Sequence, residues 1–156
     1  MLKTRDMISI NISKEMESSP EQVWNIVSDV DREPEFWHGI KSIKKNISKK
    51  DNVIEREVVI AFRNSICREI VTLDPKKSVN IKITDGPMKG TKNIIINAIA
   101  NNNKTRVDVQ WDIKVKGFFG MFIGIIKKHI SEGTEDALER ISKAAASRHR
   151  LQSDQL

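Results

Sequence analysis

The chain has 156 residues, of which 38% are hydrophobic and 31% are charged, and its formal net charge is +6 at pH 7. This composition fits one domain with a sizeable core, and it excludes a membrane-spanning or plainly disordered chain. The single cysteine, Cys67, excludes an internal disulfide framework and a cysteine-based zinc site. Lysines and acids are interspersed, which favours a solvated basic surface over a specific nucleic-acid site. The charged N-terminus lacks the pattern of a signal peptide, so we expect a cytoplasmic protein.

The chain opens with one strand and two short helices. Isoleucines alternate with polar residues over 7–16, which predicts a half-buried strand. Ser19 and the proline after it predict the cap and first turn of a helix over 20–29. Asp31 is predicted to cap a second short helix that ends near His38.

The middle of the chain is divided by turn-rich sequences into short segments, which predicts successive antiparallel hairpins. The predicted strands span residues 41–49, 53–62, 66–74, 78–85, 91–101 and 104–116. A turn at 101–104 would place three pairs on one apolar face: Ala98 with Val107, Ile96 with Val109, and Ile94 with Trp111. A slip of one residue would turn a strand over, so the shared apolar face supports this register.

The last predicted element is a long helix from Phe118 to about Ala146. Its apolar face repeats at three- and four-residue steps through Phe118, Phe122, Ile125, Ile126, His129 and Gly133. The polar residues 147–156 are expected to fray. We therefore expect one domain over 1–156, with an ordered core of about 6–146.

The segment SSPEQVWNIVSDVDREPEFWHGIKSI, residues 18–43, resembles the opening of the START-like or Bet v 1-like (SRPBCC) superfamily, including its polyketide cyclase/dehydrase and coenzyme Q-binding branches. The matching positions are Pro20, Val23, Trp24, Asp29, Asp31, Pro34, Trp37 and Ile40. The resemblance implies an α+β helix-grip fold. In that fold a curved seven-stranded antiparallel sheet, with two short helices after its first strand, wraps a long C-terminal helix over a cavity. Members bind lipids, quinones, polyketides or hormones, and some catalyse cyclisation or dehydration.

Combined with the predicted registers, the resemblance gives a set of residues expected to line the cavity. They are Trp37, Val58, Ile60, Phe62, Arg68, Ile81, Ile94, Ile96, Val109, Trp111, Phe119, Phe122, Ile126 and His129. Pockets of this type are mostly apolar, with a few polar groups that orient the ligand. Cys67 is expected to be inert, because it falls on the less apolar face of its strand.

The hairpin of residues 53–73 brings two arginines to its more apolar face. With a turn at 63–65, Val58 would lie opposite Ile70, and both Arg56 and Arg68 would point inward. A buried guanidinium needs an acid or an anionic ligand. One hypothesis is that Arg68 binds an anionic end of the ligand. Alternatively, a twist or bulge leaves both arginines in water, or each pairs with a nearby glutamate.

Three functions remain open on the sequence. We favour the non-catalytic binding or carrying of a hydrophobic small molecule, such as a lipid, quinone, isoprenoid or polyketide-like compound. A polyketide cyclase or dehydratase is the second, for which His129 and Arg68 form the only acid–base pair that the sequence nominates. A protein- or RNA-interaction module is the third, and the basic surface also allows peripheral contact with an anionic membrane. Three scattered histidines predict no metal site, no motif predicts a cofactor, and the oligomeric state is open.

Overall fold

The computed structural model describes the backbone of residues 7–154 and the side chains of residues 7–117 and 119–147. The strands are β1 (Met7–Met16), β2 (Ile40–Lys50), β3 (Val53–Ile60), β4 (Ile66–Asp74), β5 (Ser78–Asp85), β6 (Met88–Ile99) and β7 (Lys104–Val115). The helices are α1 (Pro20–Val27), α2 (Glu33–Phe36) and α3 (Ile123–Asp154), with single 3₁₀ turns at Val30–Arg32, Phe62–Asn64 and Gly117–Phe122. No helix in the described range is long and apolar enough to cross a lipid bilayer.

The seven strands form one curved antiparallel sheet in the order β1-β7-β6-β5-β4-β3-β2. The first strand therefore pairs with the last, and α3 lies across the inner face, in contact with β1, β7, α1 and α2. This arrangement confirms the predicted α+β helix-grip fold.

The opening of the chain follows local rules closely. The Ser19 side chain accepts a hydrogen bond from the Gln22 backbone N–H, and the Gln22 side chain accepts one from the Ser19 backbone N–H. This reciprocal capping box fixes the start of α1. The prediction that Asp31 caps the second helix is wrong, because Asp31 lies inside the 3₁₀ turn that precedes α2. That helix ends at Phe36, where Trp37 adopts an extended backbone.

The hairpin of β6 and β7 has the predicted inner face but a different register. Ile94 pairs with Val109, Ile96 with Val107, and Ala98 with Thr105. The chain turns at residues 100–103, one position earlier than predicted, with Ala100, Asn101 and Asn102 in the left-handed region. Each partner therefore shifts by two residues. An even shift leaves every side chain on its original face.

The hairpin of β3 and β4 differs from that of β6 and β7, because its register is shifted from the predicted one by an odd number of residues. Val58 pairs with Cys67 rather than Ile70. The cause is the turn: β3 ends at Ile60, and the 3₁₀ turn contains Arg63 and Asn64 at φ values of 57° and 51°. The shift turns β4 over. Its inner face consists of Cys67, Glu69 and Val71, whereas Ile66 and Arg68 are exposed.

The long helix begins later and ends later than predicted. The glycines in the run Gly117–Gly124 weaken an α-helix by about 1 kcal/mol each relative to alanine, and the first six residues of that run form a 3₁₀ turn instead. The buried face of α3 consists of Ile126, Thr134, Ala137, Leu138, Ile141 and Ala145. Ser147 and the residues after it, which we expected to fray, continue the helix to Asp154. The predicted inward direction of Phe118 lies outside the described side chains.

Candidate functional site

A cavity of about 330 Å³ lies between the inner face of the sheet and the N-terminal part of α3. The structure brings these predicted residues to its wall: Trp37, Ile60, Phe62, Ile81, Trp111, Phe122, Ile126 and His129. Further apolar residues complete the wall, among them Ile40, Ile83, Met88 and Ile130. The cavity is thus mostly apolar, as small-molecule sites usually are.

The other predicted residues lie off the wall. Four of them face the interior but are packed among other side chains: Val58, Ile94, Ile96 and Val109. Phe119, in the 3₁₀ turn before α3, packs edge-to-face against Phe62 with 5.4 Å between ring centroids. Phe119 therefore stands behind a wall residue and supports it.

Arg68 is the clearest error among the predicted site residues. It lies on the outer face of β4, and its guanidinium pairs with Glu57 at 3.3 Å. His129, on α3, lines the cavity and is exposed at its opening, so the two nominated catalytic residues lie on opposite sides of the sheet. His38 is exposed and is not a wall residue.

Arg56, the other arginine of that hairpin, is fully buried, and each of its three guanidinium nitrogens has a partner. Its guanidinium donates to Glu69 Oε1 at 3.1 Å, to Glu33 Oε2 at 3.0 Å and to the Val30 carbonyl at 2.9 Å. Of the arrangements left open for the two arginines, the structure shows the third, in which each pairs with a glutamate. Glu33 and Glu69 also reach the cavity wall, so the pair forms a polar end within apolar surroundings.

Lys92 is the second buried cation of this polar end. It is only 2% exposed, and its Nζ lies 3.2 Å from the centroid of the Trp37 ring and 5.0 Å from that of Trp111. The faces of aromatic rings attract a cation, which offsets part of the cost of removing the ammonium from water. Glu33 Oε1 lies 3.9 Å from the same Nζ.

Burial shifts the pKa values of two members of this cluster, Glu69 and Lys92, toward neutral pH. It raises the pKa of Glu69 to about 7, and the neighbouring Glu33 carboxylate adds to the rise, against the opposing pull of Arg56 and Lys92. Burial also lowers the pKa of Lys92 to about 8 against the attraction of the two carboxylates. At Cys67, burial raises the pKa of the thiol to about 11, which keeps it protonated and unreactive at neutral pH.

Trp111 is fixed in the wall by a hydrogen-bond chain to α3. Its indole Nε1–H donates to Thr134 Oγ1 at 3.0 Å, and the Thr134 hydroxyl donates to the Ile130 carbonyl at 2.7 Å. The ring also meets Trp37 edge-to-face at 6.4 Å between centroids. These two hydrogen bonds join β7 to α3 at the cavity wall and fix the orientation of the Trp111 ring.

Besides several apolar wall residues, sequence reasoning missed the three charged residues of the wall, Glu33, Glu69 and Lys92. For Lys92 a signal existed, because the inner face of β6 runs through Ile96 and Ile94 and reaches Lys92 two residues earlier. Glu69 was hidden by the wrong register. Glu33 carried no periodic signal, since it opens a helix of four residues.

Solved structures share this fold at low sequence identity. A protein from Thermus thermophilus is 13% identical with a TM-score of 0.74, over 90% of this chain and 99% of its own. The Zhui aromatase/cyclase from Streptomyces sp. R1128 is 16% identical with a TM-score of 0.61, over 88% of each chain. A START superfamily protein from Mycobacterium smegmatis is 18% identical with a TM-score of 0.60, over 86% of this chain and 98% of its own.

These identities support a shared fold and nothing finer. A search among curated protein sequences found no match. The family model described as polyketide cyclase / dehydrase and lipid transport matches residues 7–148, which is most of the chain. The chain therefore belongs to the polyketide cyclase/dehydrase and lipid transport family.

Proposed function

We propose that the protein binds and carries a hydrophobic small molecule in its cavity, without changing it chemically. The observation that supports this most strongly is the form of the cavity, a space of about 330 Å³ with apolar walls and one buried polar end. Such a site matches an amphipathic molecule that places its polar group against the cluster and its apolar body along the walls. The lipid transport activity in the family's description agrees with this role.

The cavity is not a sign of a generally loose interior. In the neighbouring part of the core, Val79, Val107 and Leu138 are each at most 1% exposed. Protein interiors pack closely wherever side chains can fill them. A cavity beside a filled region therefore favours a binding role.

The test is to detect the cargo and then to block its site. Native mass spectrometry of freshly purified protein, followed by organic extraction, should show a bound apolar molecule. In parallel, the fluorescent probe N-phenyl-1-naphthylamine should bind the wild type. Ile60→Trp, on the cavity wall, should weaken probe binding at least tenfold.

Ile66→Trp is the matched control, because it makes the same change on the exposed outer face of β4. It should leave probe affinity unchanged. If the wild type carries no extractable molecule and does not bind the probe, the carrier function is wrong. Equal weakening by both variants would place the probe elsewhere.

A second candidate function, a cyclase or dehydratase, is favoured by the ionisable groups on the wall. Glu69 and Lys92 have pKa values shifted to about 7 and about 8, which suit proton transfer near neutral pH. They replace the pair Arg68 and His129 as the acid–base candidates. The protein should then catalyse deuterium exchange at the central carbon of benzoylacetone, measured by NMR. Lys92→Met should abolish the exchange and retain probe binding, and no exchange by the wild type above the buffer rate would exclude this function.

A further inference from the structure

The polar end of the cavity presents one carboxylate oxygen and one ammonium group side by side. Glu33 Oε2 accepts a hydrogen bond from Arg56, whereas Glu33 Oε1 is buried and has no hydrogen-bond partner among the described residues. The ammonium group beside it, Lys92 Nζ, lies at 3.9 Å, which is too far for a hydrogen bond. Both residues line the cavity. A buried carboxylate oxygen is costly unless something donates to it.

The charges of the cluster decide what kind of group fits there. Two carboxylates, Glu33 and Glu69, face two cations, Arg56 and Lys92, so the cluster is balanced when all four are ionised. An anionic ligand end would add a third negative charge to a buried, balanced site, and a cationic end would add a third positive one. Burying an uncompensated charge is strongly unfavourable. The group that enters should therefore be neutral.

The distance between Glu33 Oε1 and Lys92 Nζ further limits which neutral group of a ligand can bind there. An oxygen atom at a normal hydrogen-bond distance of about 2.8 Å from each would fit between atoms 3.9 Å apart. That oxygen must donate toward Glu33 Oε1 and accept from Lys92 Nζ. A hydroxyl group does both, a ketone oxygen can only accept, and a methyl group does neither.

We propose that the cavity selects an apolar alcohol or phenol, whose hydroxyl group lies between Glu33 and Lys92. The inference rests on the proposed binding function and adds the chemical class of the ligand's polar end. The apolar part of the molecule then extends along Trp111 and Ile83 toward the opening at Phe122. A hydroxyl group thus replaces the anionic ligand end expected from the sequence, because that expectation depended on an inward Arg68.

The experiment compares three probes of nearly equal shape, 2-naphthol, 2-methylnaphthalene and 2-naphthoate, by isothermal titration calorimetry at pH 7.5, midway between the pKa values of Glu69 and Lys92, where the cluster is balanced. The wild type should bind 2-naphthol about tenfold more tightly than 2-methylnaphthalene, because a hydrogen bond to a charged partner has about that effect. It should bind 2-naphthoate more weakly than 2-naphthol. In Lys92→Met the preference of 2-naphthol over 2-methylnaphthalene should fall several-fold, because the donor is lost and the apolar stem is kept. The matched control is Lys82→Met, the same change at an exposed position of β5, and it should keep the wild-type preference.

Each outcome bears on one of the two proposals. Equal affinity for 2-naphthol and 2-methylnaphthalene would overturn the hydroxyl inference and leave the carrier function standing. Tightest binding of 2-naphthoate would also overturn it, in favour of an anionic end. An unchanged preference in Lys92→Met would show that the hydroxyl group binds elsewhere. Absence of binding by all three, together with no extractable molecule, would instead contradict the carrier function. The wild-type comparison decides the inference even if Lys92→Met does not fold.

Discussion

Two halves of the interior share the same sheet and the same long helix, yet one is filled and the other is hollow. In the packed half, α1 lies between α3 and the strands β6 and β7 and adds Val23, which is fully buried. Among the described residues, α1 contributes nothing to the cavity wall. There, in the described part of the chain, α1 does not lie between α3 and the sheet, and Phe122 and Ile125 are 40% and 59% exposed. The cavity thus lies where α1 does not cover the sheet, although its walls carry large side chains.

The buried charge cluster lies where the two halves meet. Trp37 packs with the filled core and also lines the cavity, and Lys92 stands over its ring. Glu33 adjoins both halves through the first turn of α2. The boundary therefore contains charged groups that pair with one another. Mutations there should change the stability of the protein by a different amount from mutations in either half.

The largest expected effect is the loss of Arg56 at this boundary. Arg56→Met leaves Glu33 and Glu69 buried and adjacent without their shared guanidinium. Removing one partner of a buried ion pair costs about 3–5 kcal/mol, so we expect a decrease of that size in the free energy of unfolding at pH 8. Urea denaturation measures it. At pH 5 part of the loss should return, because burial raises the pKa of Glu69 to about 7 and its protonation removes one of the two uncompensated charges. A loss below about 1 kcal/mol at pH 8 would fit an exposed pair, not a buried one.

The next effect contrasts the two halves along one helix. Leu138 is 1% exposed in the packed half, so Leu138→Ala should lower the free energy of unfolding by about 3 kcal/mol. Ile125→Ala, at the opening of the cavity, removes a side chain that is already 59% exposed and should cost less than about 1 kcal/mol. Thermal and urea denaturation of both variants give the comparison. Equal losses would show that the opening is as tightly packed as the core.

A smaller effect is the pH dependence that the cluster gives to stability. The pKa of Glu69 is raised from 4.5 to about 7, so the folded state binds more protons than the unfolded state in that window, and stability falls as pH rises through it. The pKa of Lys92 is lowered from 10.5 to about 8, so the unfolded state binds more protons above pH 8, and stability rises again. The cluster should therefore produce a minimum in stability between the two values.

Differences between variants isolate this contribution from the other titrating groups. The melting temperature should be measured from pH 4.5 to 10.5. In Glu69→Gln it should no longer fall as pH rises toward 7, and in Lys92→Met it should no longer rise above pH 8. The quantity to compare is the slope of melting temperature against pH, because either variant also changes the overall stability. Wild-type slopes that persist in both variants would assign the pH dependence to other groups.

The fold was predictable because its signals are local and repeated. Alternating isoleucines placed β1, and the Ser19 cap with the proline after it placed α1. In the hairpin of β6 and β7 the register was wrong by two residues, which the period of a strand tolerates. The inner face, and with it Trp111, was therefore still correct.

The polar end of the site was not predictable, because it depends on one turn. Hydrophobicity favours the wrong face of β4, since Ile66 and Ile70 are more apolar than Cys67 and Val71. Only the 3₁₀ turn decides between the two faces, and its left-handed residues, Arg63 and Asn64, include an arginine that gives no turn signal. An odd shift there exchanged Arg68 for Glu69 at the cavity.

The smallest expected effect tests this exchange directly. Arg68 is about half exposed and pairs with Glu57 across the outer face. Exposed pairs contribute about 0–1 kcal/mol, so Arg68→Met should change the free energy of unfolding by less than about 0.5 kcal/mol and leave the affinity for N-phenyl-1-naphthylamine and 2-naphthol unchanged. It is the same substitution as Arg56→Met on the neighbouring strand, so the contrast between the two measures which arginine faces the interior. A tenfold loss of ligand affinity in Arg68→Met would restore the inward orientation and overturn the register of β3 and β4.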